Sequence, residues 1–382
     1  MSGWGYQDNM IAKYHMLDGA SVTVIANKYV YDKEGNYVRT DASTEYDENG
    51  VKIVRLDQIG DKQLKGPAER VHYKGLYECL TDEKPDIIFL HNPQIMDTED
   101  IVRYIKDIKT GKNINCVDGK PGVIRLYVDS HSDYSNSGRN FLSKHILHGI
   151  FWRNKIRKLI PYTEKFYGVL PARVDFMLDR YHTPKDRTEL LVMGMDDEKA
   201  EEAASPEVRS RIRQELGISE NDFLIISGGK IDHSKTQTLL LMRAVEKISK
   251  ELDTDKIRLV VFGSVVDDMK DEFDSIIEET NKNRKIIDYI GWLSADGTYP
   301  YFASSDLAVF PGRHSVMWEQ VAGQGIPMVV KFWEGTTHVD LGGNCKFLYK
   351  DSVEEIEEVI KVLPIIIERL REISPFHKNL EK

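Results

Sequence analysis

Cysteine, long apolar runs and excess positive charge are what this sequence has little of. Its three cysteines, Cys79, Cys116 and Cys345, are odd in number and widely spaced. They make no disulfide framework and no cysteine-based zinc site, and they fit a reducing compartment. No stretch reaches the roughly 18 consecutive apolar residues that cross a bilayer, and no basic segment leads into an apolar one at the N-terminus. Neither a membrane-spanning helix nor a secretory leader is expected, and the expected location is the cytoplasm, with the inner face of the membrane as a possible station. The net charge is −10, which disfavours a nucleic-acid partner and requires any bound anion to be caught locally.

What is present is the balance of a globular protein, with 41% hydrophobic and 30% charged residues over 382 positions, enough for two domains. In the second half, short β-rich runs (223–227, 258–263, 286–292, 306–310, 328–332) alternate with helical patterns (236–252, 270–281). That rhythm predicts βα units on a parallel sheet. The first half repeats it, with strands at 22–26, 87–91 and 124–129 and helices near 97–109 and 141–158. An α/β protein of two Rossmann-like domains is therefore expected, spanning 1–194 and 195–350, with helices in 351–382 crossing back to the first domain. The polar run 194–204 reads as the hinge side of the boundary. Ser205-Pro206 reads as an N-cap and first helical position, and Gly217 as that helix's stop. Gly3-Trp4-Gly5 resembles the turn after a central first strand, yet no strand precedes it, so the first N-terminal strand of the expected sheet is missing.

Two segments of the second half carry the chemistry. In Val309-Phe310-Pro311-Gly312-Arg313-His314-Ser315-Val316, an apolar strand meets a small-residue turn and a helix expected from near Ser315, with Gly325-Ile326-Pro327 returning to the next strand. Backbone N–H groups and the helix dipole converge there on an anion, and Glu319, one turn in, is placed for a sugar hydroxyl. Gly228-Gly229-Lys230-Ile231-Asp232-His233-Ser234-Lys235 follows another strand, its glycines allowing close backbone approach and its lysines neutralising a diphosphate. The spacing is not that of a Walker A loop, and standing alone such a turn is more often just an ordinary βα connection.

Together these segments resemble the retaining family 4 glycosyltransferases of the GT-B fold, of the bacterial cell-surface polysaccharide type. Gly229, Lys230 and Lys235 match the family's Gly-Arg/Lys-x4-Lys motif, which implies that the two lysines bind the donor pyrophosphate. Glu319 matches the second glutamate of Glu-x7-Glu, implying a ribose contact, and Gly325 with Pro327 match the return. The first glutamate is replaced by Pro311, and the shortened loop Arg313-His314-Ser315 departs from the pattern. Arg313, His314 or Glu334 is left as the partner of the donor sugar's hydroxyls. By resemblance Gly291, Trp292 and Leu293 lie beside the base, with Trp292 as plain core the alternative, and Gly3 and Gly5 form the N-terminal glycine loop near the phosphates.

Asp129-Ser130-His131-Ser132-Asp133 follows a strand of the first half, where open α/β sheets bind ligands. His131 matches the family's active-site histidine. Zinc at His131 with Asp129 and Asp133 lacks a second nearby histidine. His91-Asn92 ends another strand on the expected acceptor side. The stretch 144–158 is basic and aromatic, with Ile146, Leu147, Ile150, Phe151 and Trp152 on one helix face. It reads either as a seat on anionic lipid near a lipid-linked acceptor or as a core helix with a basic outer face.

The resemblance implies sugar transfer from a UDP- or GDP-linked donor to a glycan or lipid-linked acceptor, with retained configuration. The expected catalytic residues are His131, Glu319 and Lys235, and the donor site comprises Gly3, Gly5, Gly229, Lys230, Lys235, Gly291, Trp292, Leu293, His314, Ser315, Val316 and Glu319. No metal and no cofactor are required, since the lysines and the N–H groups near Ser315 take the leaving diphosphate's charge. A GT-B sugar-nucleotide epimerase and a non-catalytic nucleotide-sugar-binding protein are the alternatives.

Overall fold

Fifteen strands are seen among the residues described in this computed structural model, which are 7–31, 37–59, 72–112, 122–233, 236–252 and 256–362. The chain divides into two compact units, Met1–Met193 and Gly194–Lys382. In the first lie β1 (Thr23–Asn27), β2 (Tyr29–Tyr31), β3 (Tyr37–Arg39), β4 (Thr44–Tyr46), β5 (Lys52–Leu56), β6 (Ile87–His91), β7 (Arg125–Ser130), β8 (Thr163–Gly168) and β9 (Thr188–Leu190). In the second lie β10 (Phe223–Gly228), β11 (Ile257–Phe262), β12 (Ile287–Tyr289), β13 (Leu307–Phe310), β14 (Met328–Lys331) and β15 (Cys345–Leu348).

The second unit is built on one parallel sheet in the order β12-β11-β10-β13-β14-β15. Its inner strands are near-continuous apolar runs because helices cover both faces. Alternate residues serve opposite faces. Ile225, Leu259, Val261, Leu307 and Val309 join one core with Leu241, Val245 and Ile248 of helix Gln237–Glu251 and Phe273 and Ile276 of helix Asp267–Thr280. Ile226, Ala308, Phe310 and Val330 turn to the other side, with Trp318. Counted outward from β10, the order is that of a doubly wound sheet, and it reverses between β10 and β13.

The first unit holds the parallel sheet β6-β7-β8-β9, the sheet β1-β5-β4 and the hairpin β2-β3. β1 and β5 run parallel, while β4 is antiparallel to β5. Among the described residues no strand joins β1 to β6, the place that the doubly wound order gives to a central first strand. The Gly3-Trp4-Gly5 turn lies outside the described residues.

Some elements differ from expectation. The division between the units falls at 193/194, at the start of the polar run expected to flank it, and that run is helical where a loop is expected: Asp196 caps a helix, Asp197–Ala203, its side chain accepting from Lys199 N at 3.4 Å. Small Ala200 and Ala203 let that helix lie against Tyr299, whose hydroxyl accepts from Asp196 N at 2.7 Å. Residues 353–362 do not leave the second unit as a returning tail would, because Ile356 and Ile360 are buried in its core and Glu357 pairs with Lys247. The remainder of the tail lies outside the described residues. Ser205 does cap Pro206–Glu215, accepting from Val208 N at 3.3 Å, and Gly217 follows with φ 62°.

Asp306, at the head of β13, ties this helix to the sheet. Its carboxylate accepts from Leu224 N at 2.8 Å, Arg209 Nη2 at 3.0 Å and Arg213 Nη1 at 3.4 Å, and Arg213 is fully buried. Asp306→Ala takes from the buried Arg213 guanidinium its buried counter-charge, leaving the exposed Glu220 at 3.7 Å, and is expected to lower the unfolding free energy by about 3–5 kcal/mol. Urea denaturation measures it, and a loss below about 1 kcal/mol contradicts this account of the pair.

Candidate functional site

The reversal between β10 and β13 puts two loops at the carboxyl edge of the second unit's sheet, where open α/β folds take their ligands. After β10 the backbone turns at Gly229, with φ 117°. Gly263, after β11, has φ 119°, and a Cβ there would lie 1.9 Å from Gly229 O. Only glycine allows these two turns to touch. Gly263 N donates to Gly291 O at 2.7 Å, so Gly291, after β12, belongs to the same rim. Trp292 beside it is 67% exposed, which removes the core reading, and Leu293 packs half-buried on the core. Lys230 is exposed, with Nζ 3.6 Å from Asp232. Lys235 lies outside the described residues, as do Gly3 and Gly5.

After β13 the chain passes through Pro311, Gly312, Arg313 and His314 to a helix at Met317–Gly323. The helix begins two residues later than expected, because Ser315 O accepts from Trp318 N at 3.0 Å in a tighter turn, and no side chain caps it. Ser315 and Val316 are half-buried in that turn. Glu319 is buried between two imidazoles: His314 Nε2 and His338 Nε2 each lie 2.8 Å from its Oε1. Burial pushes the Glu319 carboxyl up, but the hydrogen bonds and charge of His314 and His338 outweigh it and hold it below its ordinary value. Glu319 Oε2 and His338 Nδ1 are buried without a hydrogen-bond partner among the described residues.

His338 is the residue that sequence reasoning missed. It sits in the turn Thr337–Val339 beyond β14, 19 positions from Glu319, and no spacing links the two. Glu334, the candidate in the same segment, is exposed.

The first unit has a comparable arrangement at the ends of β6 and β7. Asp129 is fully buried, with His91 Nδ1 at 2.8 Å and His131 Nε2 at 3.5 Å from its Oδ2, and the two rings lie 4.5 Å apart. Asn92 adopts φ 72°, unusual away from glycine, and is held by donating its N–H to Asp129 Oδ1 at 3.0 Å while its side chain accepts from His131 N. Burial pushes the Asp129 carboxyl up, but the two histidines beside it outweigh that effect and bring it to about 2. His91, expected on the acceptor side, is thus the second nearby histidine that the zinc reading of His131 lacked. Asp133 does not join the cluster: it turns inward, accepting from Ser135 N and Asn136 N at 2.7 and 3.0 Å and facing Arg173 at 3.4 Å.

Both His-carboxylate-His sets have donors that a divalent ion accepts, their ligand atoms lying within 4.8 Å of one another. The 2.8 Å separations are hydrogen-bond lengths. Behind His131, Gln94 Nε2 donates to Ser132 Oγ at 2.9 Å and to Tyr181 OH at 2.5 Å, and Tyr181 OH lies 2.7 Å from His148 Nδ1. His148 is buried, and burial lowers its pKa to about 4.

No family model matches the chain, and no curated protein matches it. Solved structures do. A glycosyltransferase of Rickettsia africae aligns over 94% of this chain and 83% of its own at TM-score 0.61 and 13% identity. WaaG, a glycosyltransferase involved in lipopolysaccharide biosynthesis, aligns over 99% and 94% at 0.58 and 13%. The fold is GT-B. HepE of Anabaena, in complex with UDP, aligns over 83% of this chain and 78% of its own at TM-score 0.55 and 13% identity.

Two outcomes follow from the buried carboxylates. The folded pKa of Asp129 lies below the unfolded value of 3.8, so its contribution is full above about pH 4 and is lost as pH falls towards 2. Asp129→Asn should cost about 2 kcal/mol near neutrality, with the gap to wild type closing between pH 4 and 2 in denaturation measured across that range. A gap that widens on acidification has the wrong sign. His338→Ala, which removes one donor to a buried carboxylate, is expected to cost about 1–3 kcal/mol and to raise the Glu319 pKa, as read by NMR titration of the side-chain carboxyl.

Proposed function

We propose that the chain is a retaining glycosyltransferase, moving a sugar from a UDP- or GDP-linked donor to a hydroxyl of a glycan or lipid-linked acceptor in cell-surface glycan synthesis. One observation carries the reading: in a doubly wound sheet of β12-β11-β10-β13-β14-β15 order, the Gly229-Lys230 turn and the His314–Glu319 segment follow the two strands between which the order reverses. That is where a parallel α/β sheet receives a nucleotide. The UDP carried by HepE makes uridine diphosphate the first ligand to try.

In this reading Lys230 and Lys235 take the charge of the donor diphosphate and stabilise it as it leaves, together with backbone N–H groups around Ser315 and Val316. Gly229, Gly291, Trp292 and Leu293 border the nucleotide. Glu319, kept ionised by His314 and His338, accepts from the ribose, and its Oε2 is the oxygen left to do so. His131 is assigned to the donor sugar, its backbone set by Asn92 and its ring by Asp129. A cytoplasmic location belongs to the same proposal.

The test is titration of UDP, GDP and their sugars by thermal shift, since a ligand of the folded state raises its apparent stability. Lys230→Ala and Lys235→Ala should each weaken binding of the accepted nucleotide by about 1.5–3 kcal/mol, as expected of a charge-assisted hydrogen bond. Wild-type affinity in both variants sinks the site assignment. A new sugar epimer formed from donor alone displaces transfer as the reaction.

A further inference from the structure

His91 and Asp129 face each other across the parallel pair β6-β7, and His131 follows directly on the end of β7. The register of the two strands thus brings two imidazoles and one carboxylate to a single point. Their donor atoms, His91 Nδ1, Asp129 Oδ2 and His131 Nε2, lie within 4.8 Å of one another.

Distance alone makes this an ion pair. What sets it apart is that Asp129 Oδ2 and His131 Nε2 are both buried without a hydrogen-bond partner among the described residues, in an Asp129 that is 0% exposed. The 2.8 Å between His91 Nδ1 and Oδ2 is a hydrogen-bond length, but the two are not aligned as donor and acceptor. Buried polar atoms in folded proteins are nearly all met, so donors that crowd one point with their bonding unfilled mark a place for a third body.

An ion of the zinc type fits that place. Metal–ligand bonds of about 2.0–2.2 Å at a tetrahedral angle hold ligand atoms about 3.4 Å apart, between the 2.8 and 3.5 Å found here. The far side of the carboxylate is already fixed: Asp129 Oδ1 accepts from Asn92 N at 3.0 Å, and Asn92 Oδ1 accepts from His131 N at 3.2 Å. That is the outer support a metal ligand needs, and it gives Asn92 a reason to be held at φ 72°. The side chains of His91 and His131 are 32% and 25% exposed, so an ion has a path in.

The other two His-carboxylate groups among the described residues serve less well. At Glu319 both imidazoles are already hydrogen-bonded to Oε1, and His338 Nδ1 is buried with no partner, where a ligating ring needs one. Asp97 spends both oxygens on Tyr73 N.

We propose that His91, Asp129 and His131 bind a divalent first-row transition ion of the zinc type, with water in the open fourth position. Two nitrogens and one oxygen select such an ion over magnesium or calcium, which take oxygen ligands. The transferase reading gives the charge of the diphosphate to lysines of the second unit and does not call on this ion. Ion binding needs neither nucleotide nor acceptor, so it stands or falls apart from that reading.

The experiment is calorimetric titration of the full chain, stripped with EDTA and dialysed, with zinc, cobalt and magnesium chlorides in the absence of nucleotide, together with the visible absorption of the cobalt form. Wild type should take up one zinc or cobalt ion with a rise in melting temperature, show the spectrum of four-coordinate cobalt and ignore magnesium at the same concentration. His91→Gln and His131→Gln should each weaken zinc binding by at least about tenfold. Because a substitution beside the buried Asp129 can cost folding, wild type is also treated with diethyl pyrocarbonate, and zinc should protect His91 and His131 from modification, as located by mass spectrometry. No zinc uptake by wild type overturns the proposal and leaves an ion pair only. Uptake that persists in folded His91→Gln and His131→Gln overturns it too, as does protection that falls on other histidines instead.

Discussion

A parallel sheet that winds outward in two directions from one pair of strands leaves a place at its carboxyl edge that no crossover covers. In the second unit that pair is β10 and β13, joined at Ile225–Leu307 and Ile226–Ala308. Crossovers from β10 run to one side and those from β13 to the other, so the loops after these strands end beside each other without a helix between them. The glycine contact at 229 and 263, the turn before Met317 and the clasp on Glu319 are local solutions to holding chain at that edge.

Buried carboxylates are the second theme. Asp129, near the end of β7, and Glu319, in the first turn of the helix that follows β13, are each taken out of water, and each is kept ionised by two histidines. Such a group is costly unless its lone pairs are met, and the partners come from separate elements: β6 and the loop after β7 for Asp129, the turns after β13 and β14 for Glu319. The ion pairs therefore also fix which loops meet.

Much of this was legible in the residues, and the physical reason is period. Apolar runs such as Leu224–Ser227 and Ile257–Phe262 announce strands buried on both faces, and Gly228-Gly229-Lys230 announces the turn that ends one of them. Capping was legible too, since Ser205-Pro206 acts locally. What depends on chain brought back from a distance was not. His338 meets Glu319 only because β14 runs parallel to β13, and His91 meets Asp129 because β6 and β7 are in register at that pair. Asp133 misled for the opposite reason, its carboxylate being consumed by its own turn. The basic helix misled in detail, because a period shared by two apolar faces does not say that Trp152 points in while Ile150 points out.

The chain of side chains from His148 through Tyr181 and Gln94 to Ser132 has a mechanical meaning. It begins on the inner side of the helix whose outer side is apolar and ends one residue from His131. With Ser143 Oγ donating to Ser137 O, it fastens the helix to the strand-end loop at two points. Helix and loop are thus braced against each other, and the brace reaches the backbone beside His131, whose own contacts are with Asn92 and Asp129.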